Sequence, residues 1–456
     1  MDYPILRRIT PVLFLILAAG VFTPVQTVFA QSGEDTTIKE LRLPEDINRV
    51  PSDNDFNDPE SEFSYDRMAL SKSIGVFWHK DFGSNPAEGP DGDPVFDLGN
   101  LLMELERYYE YFVDELKFID PENTDAAENR ALLFVISGSG GTAFGGGSDG
   151  VGMMWSPTSR IQSPPYGVLA HELGHSFQYL VRQNGGGFRG GTAGRSIGEM
   201  TSQYKLWHVY PEWMTFENYH LVDYLEKTHF AFLHRTNQYH SPYVLEYWAT
   251  LHGKDIIGKL WRNAEPGEDP VLAYQRLTEI DQPTFNDQMF DAARRFMTWD
   301  MDRVEEVASP YANMHTSEFD AIGDGWYQIA ESRTPQNYGY NGVQLEVPAS
   351  GTNVTVDFRG IAGADGFQAV NVDLAGWRYG FVAVQSDGSR VYGDTHSNPE
   401  GEASINVPEG TEYLWFVVSG APAEHWVHGS EEEEEQWPYQ IRLDGTGLHD
   451  SVTVNN

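Results

Sequence analysis

Two histidines and a glutamate lie close together near the middle of the chain, in the order His171-Glu172-Leu-Gly-His175. An α-helix turns about 100° per residue, so the two histidines fall about 40° apart and one turn from each other. Both imidazoles can therefore reach one divalent metal ion, whereas Glu172 lies beside that ion. A carboxylate in that position suits a general base for a metal-bound water.

The flanking sequence predicts the helix that must carry these residues. Ser163 is a candidate N-cap, Pro164 suits the first helical position, and Asn184-Gly185 is a typical stop. Gly174 leaves room for a close neighbour. The apolar residues lie on the face opposite the histidines: Leu169, Leu173, Phe177 and Leu180. We therefore expect a helix with a buried back and two histidines on its front.

A catalytic zinc site needs a third protein ligand as well as one open position. The chain contains no cysteine, so this ligand must be a histidine or a carboxylate. Glu199 is the best candidate, in a second predicted helix that follows a Gly-rich turn at 185–194. Glu199 could instead close a capping box with Ser196. The other candidates for the third ligand are Glu212, Glu217 and His208.

Composition and the N-terminus limit the partners and the location of the protein. The chain has 456 residues, of which 68 are acidic and 30 basic, and a net charge of −38 that disfavours nucleic acids and anionic membranes as partners. Residues 1–30 have the basic, apolar and small-residue pattern of a signal peptide. We expect a secreted protein, extracellular or periplasmic, without a membrane span.

The remaining sequence is predicted to form two domains after a polar leader or linker at residues 31–64. Residues 65–322 alternate strand-like and helical segments, which indicates an α+β domain. Residues 323–456 contain short strand-like runs separated by turn residues, which predict an all-β sandwich or jelly roll.

The two motifs together resemble those of the gluzincin metallopeptidases. The segment 171–175 is followed by Gly-Glu-Met-Thr-Ser-Gln at 198–203, and the second gluzincin motif reads roughly N-E-x-x-S-D. Glu199 and Ser202 match that motif, whereas Gly198 and Gln203 differ from it. Over residues 65–445 the chain also resembles an uncharacterised family of exported bacterial proteins with a domain of unknown function and a C-terminal β domain.

The resemblance implies a zincin-like domain that hydrolyses peptide bonds with one Zn²⁺ ion. The ligands would be the two motif histidines and Glu199, and Glu172 would be the general base. Gln203, with Ser202 beside it, would be a neutral partner of a zinc-bound histidine. The substrate would be a peptide or protein, glycosylated or not.

Two further parts of the site are implied by the same resemblance. In such enzymes the strand before the zinc helix is an edge strand with which the substrate pairs. The residues that would form this strand are Gly152, Met153, Met154 and Trp155. The candidates for stabilising the oxyanion are His234, Tyr239, His240 and Tyr243.

A binding protein with a vestigial zincin domain is the alternative function. Four tryptophans of the predicted β domain could form platforms for sugar rings, or could fill its core: Trp377, Trp415, Trp426 and Trp437. Glu172→Gln separates the two functions, because it should abolish hydrolysis and leave glycan binding intact.

Overall fold

The structure is a computed structural model that describes residues 39–455, except 89–95, 123, 127, 139, 190, 428–434 and the side chains of 191–193. The predicted signal peptide at 1–30 lies outside the described residues. No helix in the described part of the chain combines the length and the apolar character needed to cross a membrane.

The first part of the chain forms a five-stranded sheet and most of the helices. The strands are β1 (Met68–Leu70), β2 (Ile74–Trp78), β3 (Ala131–Ile136), β4 (Phe144–Ser148) and β5 (Val151–Pro157). The helices are α1 (Leu98–Glu110), α2 (Gly167–Gln183), α3 (Gly191–Val209), α4 (Trp213–Phe216), α5 (Tyr219–Leu225), α6 (Tyr243–His252), α7 (Ile256–Asn263), α8 (Pro270–Thr278), α9 (Gln282–Phe296) and α10 (Glu305–Ala308).

The order of strands in this sheet is β1-β2-β3-β5-β4. Strands β2, β3 and β5 are parallel, whereas β1 and β4 pair antiparallel at the two edges. The predicted edge strand is therefore wrong, because Gly152, Met153, Met154 and Trp155 lie in β5, between β3 and β4. The edge strand on this side of the sheet is β4, Phe144-Gly-Gly-Gly-Ser148. It was not predicted from the sequence because glycine has a low strand propensity.

The segment at residues 39–63 covers one face of this sheet, whereas the sequence predicted a leader or linker. Ile47 and Phe63 are buried against Phe77 and Phe134, on the face opposite α1 and α2. The Arg130 N–H donates to the Glu40 carbonyl oxygen at 2.9 Å, which ties the segment to the start of β3. A few widely spaced apolar residues are enough for this packing, although they give no periodic pattern.

The second part of the chain is a β-sandwich, as predicted. Its strands are β6 (Glu318–Gly323), β7 (Trp326–Ile329), β8 (Tyr340–Leu345), β9 (Asn353–Gly360), β10 (Trp377–Gln385), β11 (Arg390–Tyr392), β12 (Glu400–Asn406), β13 (Thr411–Gly420), β14 (Tyr439–Asp444) and β15 (Thr453–Asn455). They form a four-stranded sheet, β11-β10-β13-β8, and a six-stranded sheet, β12-β9-β14-β7-β6-β15. Because β6 belongs to the second sheet, the sandwich begins by residue 318, slightly before the predicted boundary at 323.

The four-stranded sheet also packs against the helices of the first part. Val382, Trp415 and Val417 belong to the same buried cluster as Phe290 and Phe296 of α9. The α+β part and the sandwich therefore share one continuous apolar core.

The tryptophans of the sandwich contribute mainly to these cores. Trp377 and Trp437 are buried between the two sheets, and Trp415 is buried against the helices. Trp426 is half-buried, with its ring 6.3 Å from that of Trp437.

Candidate metal centre

Helix α2 carries the two histidines and is held firmly against the sheet. Its apolar side is buried, and the Ser176 hydroxyl donates to the Met153 carbonyl oxygen of β5 at 2.8 Å. Its last residue is Gln183, followed by the predicted stop at Asn184, but its first residue is Gly167, whereas Ser163 was the expected N-cap and Pro164 the expected first helical residue. Two successive prolines explain the later start, because the residue before a proline is disfavoured in helical conformation.

Helix α3 crosses α2 at a close contact between Gly174 and Ser202. A Cβ atom at Gly174 would lie 2.8 Å from the Ser202 hydroxyl oxygen, so only glycine allows this approach. Helix α3 begins at Gly191, which places Ser196 and Glu199 inside the helix. The capping-box interpretation of Glu199 is therefore wrong, and the side chain is free to point towards α2.

Three candidate ligand atoms meet where the two helices cross. His171 Nε2, His175 Nε2 and Glu199 Oε2 form a triangle in which each pair of atoms is 3.1 Å apart. Ligand atoms of a tetrahedral zinc ion with bonds of about 2.1 Å are about 3.4 Å from one another. The triangle therefore has the size of a zinc ligand shell with one position left open.

The hydrogen bonds behind the two rings orient them for metal binding. His171 Nδ1 lies 3.0 Å from Gln203 Oε1, and His175 Nδ1 lies 3.2 Å from Gln178 Oε1. Because an amide oxygen only accepts, each Nδ1 must carry the proton and donate it. The Nε2 atom of each neutral ring then presents a lone pair to the other ring and to Glu199. Three lone pairs that converge in this way repel one another unless a cation lies between them.

The Glu199 carboxylate is ionised in this environment. Burial tends to raise its pKa, but in the metal-free site a proton on Nε2 of His171 or His175 takes the place of a cation, and the hydrogen bonds and charge that it provides hold the pKa of Glu199 well below the usual range. A metal ion that displaced this proton would meet one negative charge and two neutral nitrogen donors.

Glu172 lies beside the triangle and is 7% exposed. One of its carboxylate oxygens lies within 4.8 Å of a nitrogen atom of each of His171 and His175. The Gly145 N–H of β4 donates to this carboxylate, and burial, together with the Glu199 charge, raises its pKa to about 7 against the opposing effect of His171. These properties suit a proton acceptor better than a ligand.

The glycines of β4 bring this strand into contact with α2. A Cβ atom at Gly145 would overlap the Glu172 carbonyl oxygen, and one at Gly147 would overlap the Tyr179 ring, whereas a Cβ at Gly146 would meet nothing within 4 Å. The role of Gly145 was not predicted, although a run of three glycines next to a buried strand indicates a close approach of the backbone to a neighbour.

The four candidates for stabilising an oxyanion occupy different places. The Tyr239 hydroxyl donates to Glu199, its ring lies 6.1 Å from that of His171, and burial together with Glu199 raises its pKa to about 12. Tyr243 is buried among aromatic rings, including Trp207 and Trp299, so its candidacy was wrong.

The two histidine candidates have other contacts. His234 accepts a hydrogen bond from the Thr236 N–H and stacks on Phe230. His240 contacts His220, which in turn contacts Gln203, so it is linked to the ligands only through other side chains.

The other candidates for the third ligand have different contacts. His208 forms a buried pair with Glu246 at 3.0 Å, and Glu217 accepts a hydrogen bond from the Trp213 indole at 2.7 Å. Glu212 is an exposed residue that precedes α4. Among the candidates considered, Glu199 is the one that contacts both histidines.

Comparisons with known proteins give a family but no activity. A family model described as a family of unknown function (DUF6055) matches residues 35–450. No curated protein matches the chain. Among solved structures, the chain is similar to the C-terminal family 22 carbohydrate-binding module of Clostridium thermocellum Xyn10B. That similarity has 10% identity and a TM-score of 0.15, over 29% of this chain and 89% of the module, and it is too weak to carry an argument.

Proposed function

The chain belongs to the DUF6055 family of unknown function, and we propose that it is a secreted zinc-dependent peptidase with a zincin-like catalytic domain. The observation that carries the proposal is the triangle of His171 Nε2, His175 Nε2 and Glu199 Oε2, with 3.1 Å between each pair of atoms. Export is inferred from the sequence pattern of residues 1–30 alone.

The donor set suits zinc better than it suits Mg²⁺ or Ca²⁺. Two imidazoles and one carboxylate are a typical ligand set of catalytic zinc, whereas Mg²⁺ and Ca²⁺ prefer oxygen ligands alone. Zinc held by these three residues would lower the pKa of a bound water to about 7 and would polarise a carbonyl group.

Glu172 is the proposed general base of the reaction. The Gly145 N–H fixes the direction of its carboxylate, and burial raises its pKa to about 7. A base with such a pKa can take a proton from the attacking water near neutral pH. The same carboxyl group then gives this proton to the leaving amine.

The edge strand β4 and Tyr239 are the proposed contacts for a peptide substrate. Within the described residues β4 pairs with β5 on one side, so its other edge can receive an extended peptide as an additional strand. The Tyr239 side chain is 38% exposed, and its hydroxyl lies beside the proposed ligands. It is therefore the best-placed of the four candidates to donate a hydrogen bond to an oxyanion.

The glycan-binding alternative has less support than hydrolysis. Glycan binding would require exposed tryptophan rings that can stack on sugars, but Trp377, Trp415 and Trp437 are buried in the cores. The similarity to a carbohydrate-binding module is too weak to restore that argument.

Metal analysis and a hydrolysis assay test the proposal together. We expect the purified wild type and Glu172→Gln to hold about one zinc ion per chain, and His171→Ala to lose it. Glu172→Gln should lower chelator-sensitive hydrolysis of a peptide library by about 10²–10⁴-fold.

His449→Ala, at a half-buried histidine of the sandwich whose ring contacts Ser451, is the matched control for the loss of an imidazole. It should keep both zinc and activity. A wild type that holds no zinc after incubation with the ion, or that holds zinc and cleaves no peptide, would contradict the proposal.

A further inference from the structure

Two buried glutamines, Gln178 and Gln203, each stand behind one of the proposed zinc ligands. Gln178 lies one turn after His175 on α2, whereas Gln203 reaches His171 from α3. Both side chains are almost fully buried, so water cannot replace the contacts that they make.

The two N–H groups of each amide are already bound to acceptors. Gln178 Nε2 donates to the Gly198 carbonyl oxygen at 2.7 Å and to the Ser202 hydroxyl at 3.1 Å. Gln203 Nε2 donates to the Tyr239 carbonyl oxygen at 3.1 Å and to His220 Nε2 at 3.1 Å. Turning either amide over would place its oxygen against a carbonyl oxygen, so only Oε1 can face the histidine.

A further pair of histidines keeps the Gln203 amide in this orientation. Because His220 Nε2 accepts from Gln203, the proton of the neutral His220 ring lies on Nδ1, which donates to His240 Nδ1 at 2.8 Å. His240 Nε2 then faces the Asp223 carboxylate at 3.7 Å. The hydrogen bonds of this chain run from His171 through Gln203 and His220 to His240, and the Asp223 carboxylate lies near the last ring.

We propose that Gln178 and Gln203 are positioning residues that keep a proton on Nδ1 of His175 and His171, and that they thereby contribute to the zinc affinity of the centre. This inference rests on the proposed function, because it concerns the same site. A ring with its proton on Nδ1 offers Nε2 to the metal in a fixed direction. An amide achieves this without adding a second negative charge next to Glu172 and Glu199.

Zinc binding by full-length variants tests the inference. Gln178→Met and Gln203→Met keep a similar volume and remove the acceptor behind one ring. We expect each to weaken Zn²⁺ binding by about 10–100-fold, measured by competition with a chromophoric chelator. Gln203→Glu keeps an acceptor behind His171, but its second oxygen would face the Tyr239 carbonyl oxygen to which Gln203 Nε2 donates. We therefore expect its zinc binding to be weaker than that of the wild type and stronger than that of Gln203→Met.

Gln275→Met is the matched control, because the Gln275 amide on α8 bonds to Gln282 and not to a proposed ligand. It should leave zinc binding unchanged. A merely structural role for Gln178 and Gln203 would lower the thermal midpoint of the Met variants without changing their zinc affinity. Zinc affinity within twofold of wild type in both Met variants, with unchanged circular dichroism, would overturn the inference.

Long-range ¹H–¹⁵N spectra of the histidine rings provide a second readout that does not require zinc. The wild type should show slowly exchanging Nδ1 protons on both His171 and His175, and each Met variant should lose one of them. If the wild type fails to bind zinc, the proposed function fails, and these spectra still decide whether the amides hold the rings. Protons found on Nε2 alone in the wild type would contradict the inference.

Discussion

Lys205 is a buried lysine on α3, close to where this helix crosses α2. Its amino group donates to the Gly174 carbonyl oxygen at 3.0 Å and lies 3.1 Å from the centre of the Phe118 ring. Burial holds its pKa well below the ordinary value. The side chain thus helps to hold α2 and α3 together, but folding must remove its charge from water.

Lys205→Met is expected to raise the free energy of unfolding at pH 7, by about 1 kcal/mol or more. Methionine fills a similar volume and has no charge to desolvate. The lowered folded-state pKa means that the unfolded chain binds a proton which the folded chain does not. The wild type therefore gains stability as the pH rises towards the unfolded pKa of about 10.4, and the difference between the two proteins should shrink.

Urea unfolding of both proteins at pH 7 and pH 10 measures this difference. Other titrating groups are common to both chains, so their contributions cancel. A Met variant that is less stable than wild type by more than about 1 kcal/mol at pH 7 would mean that the hydrogen bond to Gly174 and the contact with Phe118 outweigh desolvation.

At the scale of elements, the close packing of β4 against α2 determines which group contacts the Glu172 carboxylate. The strand can approach the helix only because Gly145 and Gly147 have no side chain, and this approach brings the Gly145 N–H to the Glu172 carboxylate. Three consecutive glycines make a weak strand when isolated. The extended conformation of β4 is therefore stabilised by its pairing with β5 and its contact with α2, and not by its own strand propensity.

Gly145→Ala and Gly146→Ala form a matched pair of variants in this strand. Alanine at 145 would force β4 away from α2 and remove the N–H from Glu172, and a displacement of about 1 Å is expected to cost about 100-fold in activity. Alanine at 146 meets open space and should change stability by less than about 1 kcal/mol.

Peptide hydrolysis and thermal unfolding, measured on both variants, check this prediction. Equal effects at the two positions would show that the glycines matter for flexibility of the strand rather than for its distance from α2.

At the scale of the whole molecule, the sandwich and the α+β part are packed together. The outer face of its four-stranded sheet is buried against α9, and the Trp415 indole donates to the Asn313 side chain at 3.0 Å. A buried triad also joins the two parts, in which His425 bonds to Asp269 at 2.7 Å and to the Tyr338 hydroxyl at 3.0 Å. A shared core of this kind makes separate unfolding of the two parts unfavourable.

We expect a single calorimetric unfolding transition, and we expect Trp415→Ala to lower its midpoint while keeping it single. The cavity should cost about 3–5 kcal/mol, because a large buried ring is lost. Val391→Ala, on the exposed edge strand β11, is the control and should stay within about 0.5 kcal/mol of wild type. Two resolved transitions, with only one of them shifted by Trp415→Ala, would contradict the shared core.

The sequence allowed a good prediction of features that depend on local periodicity. The spacing of His171 and His175, the apolar back of α2 and its end at Asn184 follow from the 3.6-residue period and from capping chemistry. The separation into an α+β part and a β-sandwich followed from the change in pattern near residue 320. The absence of cysteine excluded metal sites with thiolate ligands.

Features that depend on contacts between distant segments could not be predicted in the same way. Residues 39–63 and β4 lack a periodic pattern, so their packing and strand order appeared only in the structure. The sequence did not show which of the four oxyanion candidates, Tyr239 among them, lies near α2, because the helical period does not indicate which loop approaches that helix.

By itself, therefore, the sequence determined that two imidazoles and a carboxylate face the same side of one helix. Only the tertiary structure decided that Glu199 is the third corner, that an amide stands behind each ring, and that a glycine strand holds Glu172. The physical reason is that the geometry within a helix depends on residues that are close in the sequence, so it can be derived from their spacing. The distance between α2, α3 and β4 depends instead on side-chain volumes at single crossing points such as Gly174 and Gly145.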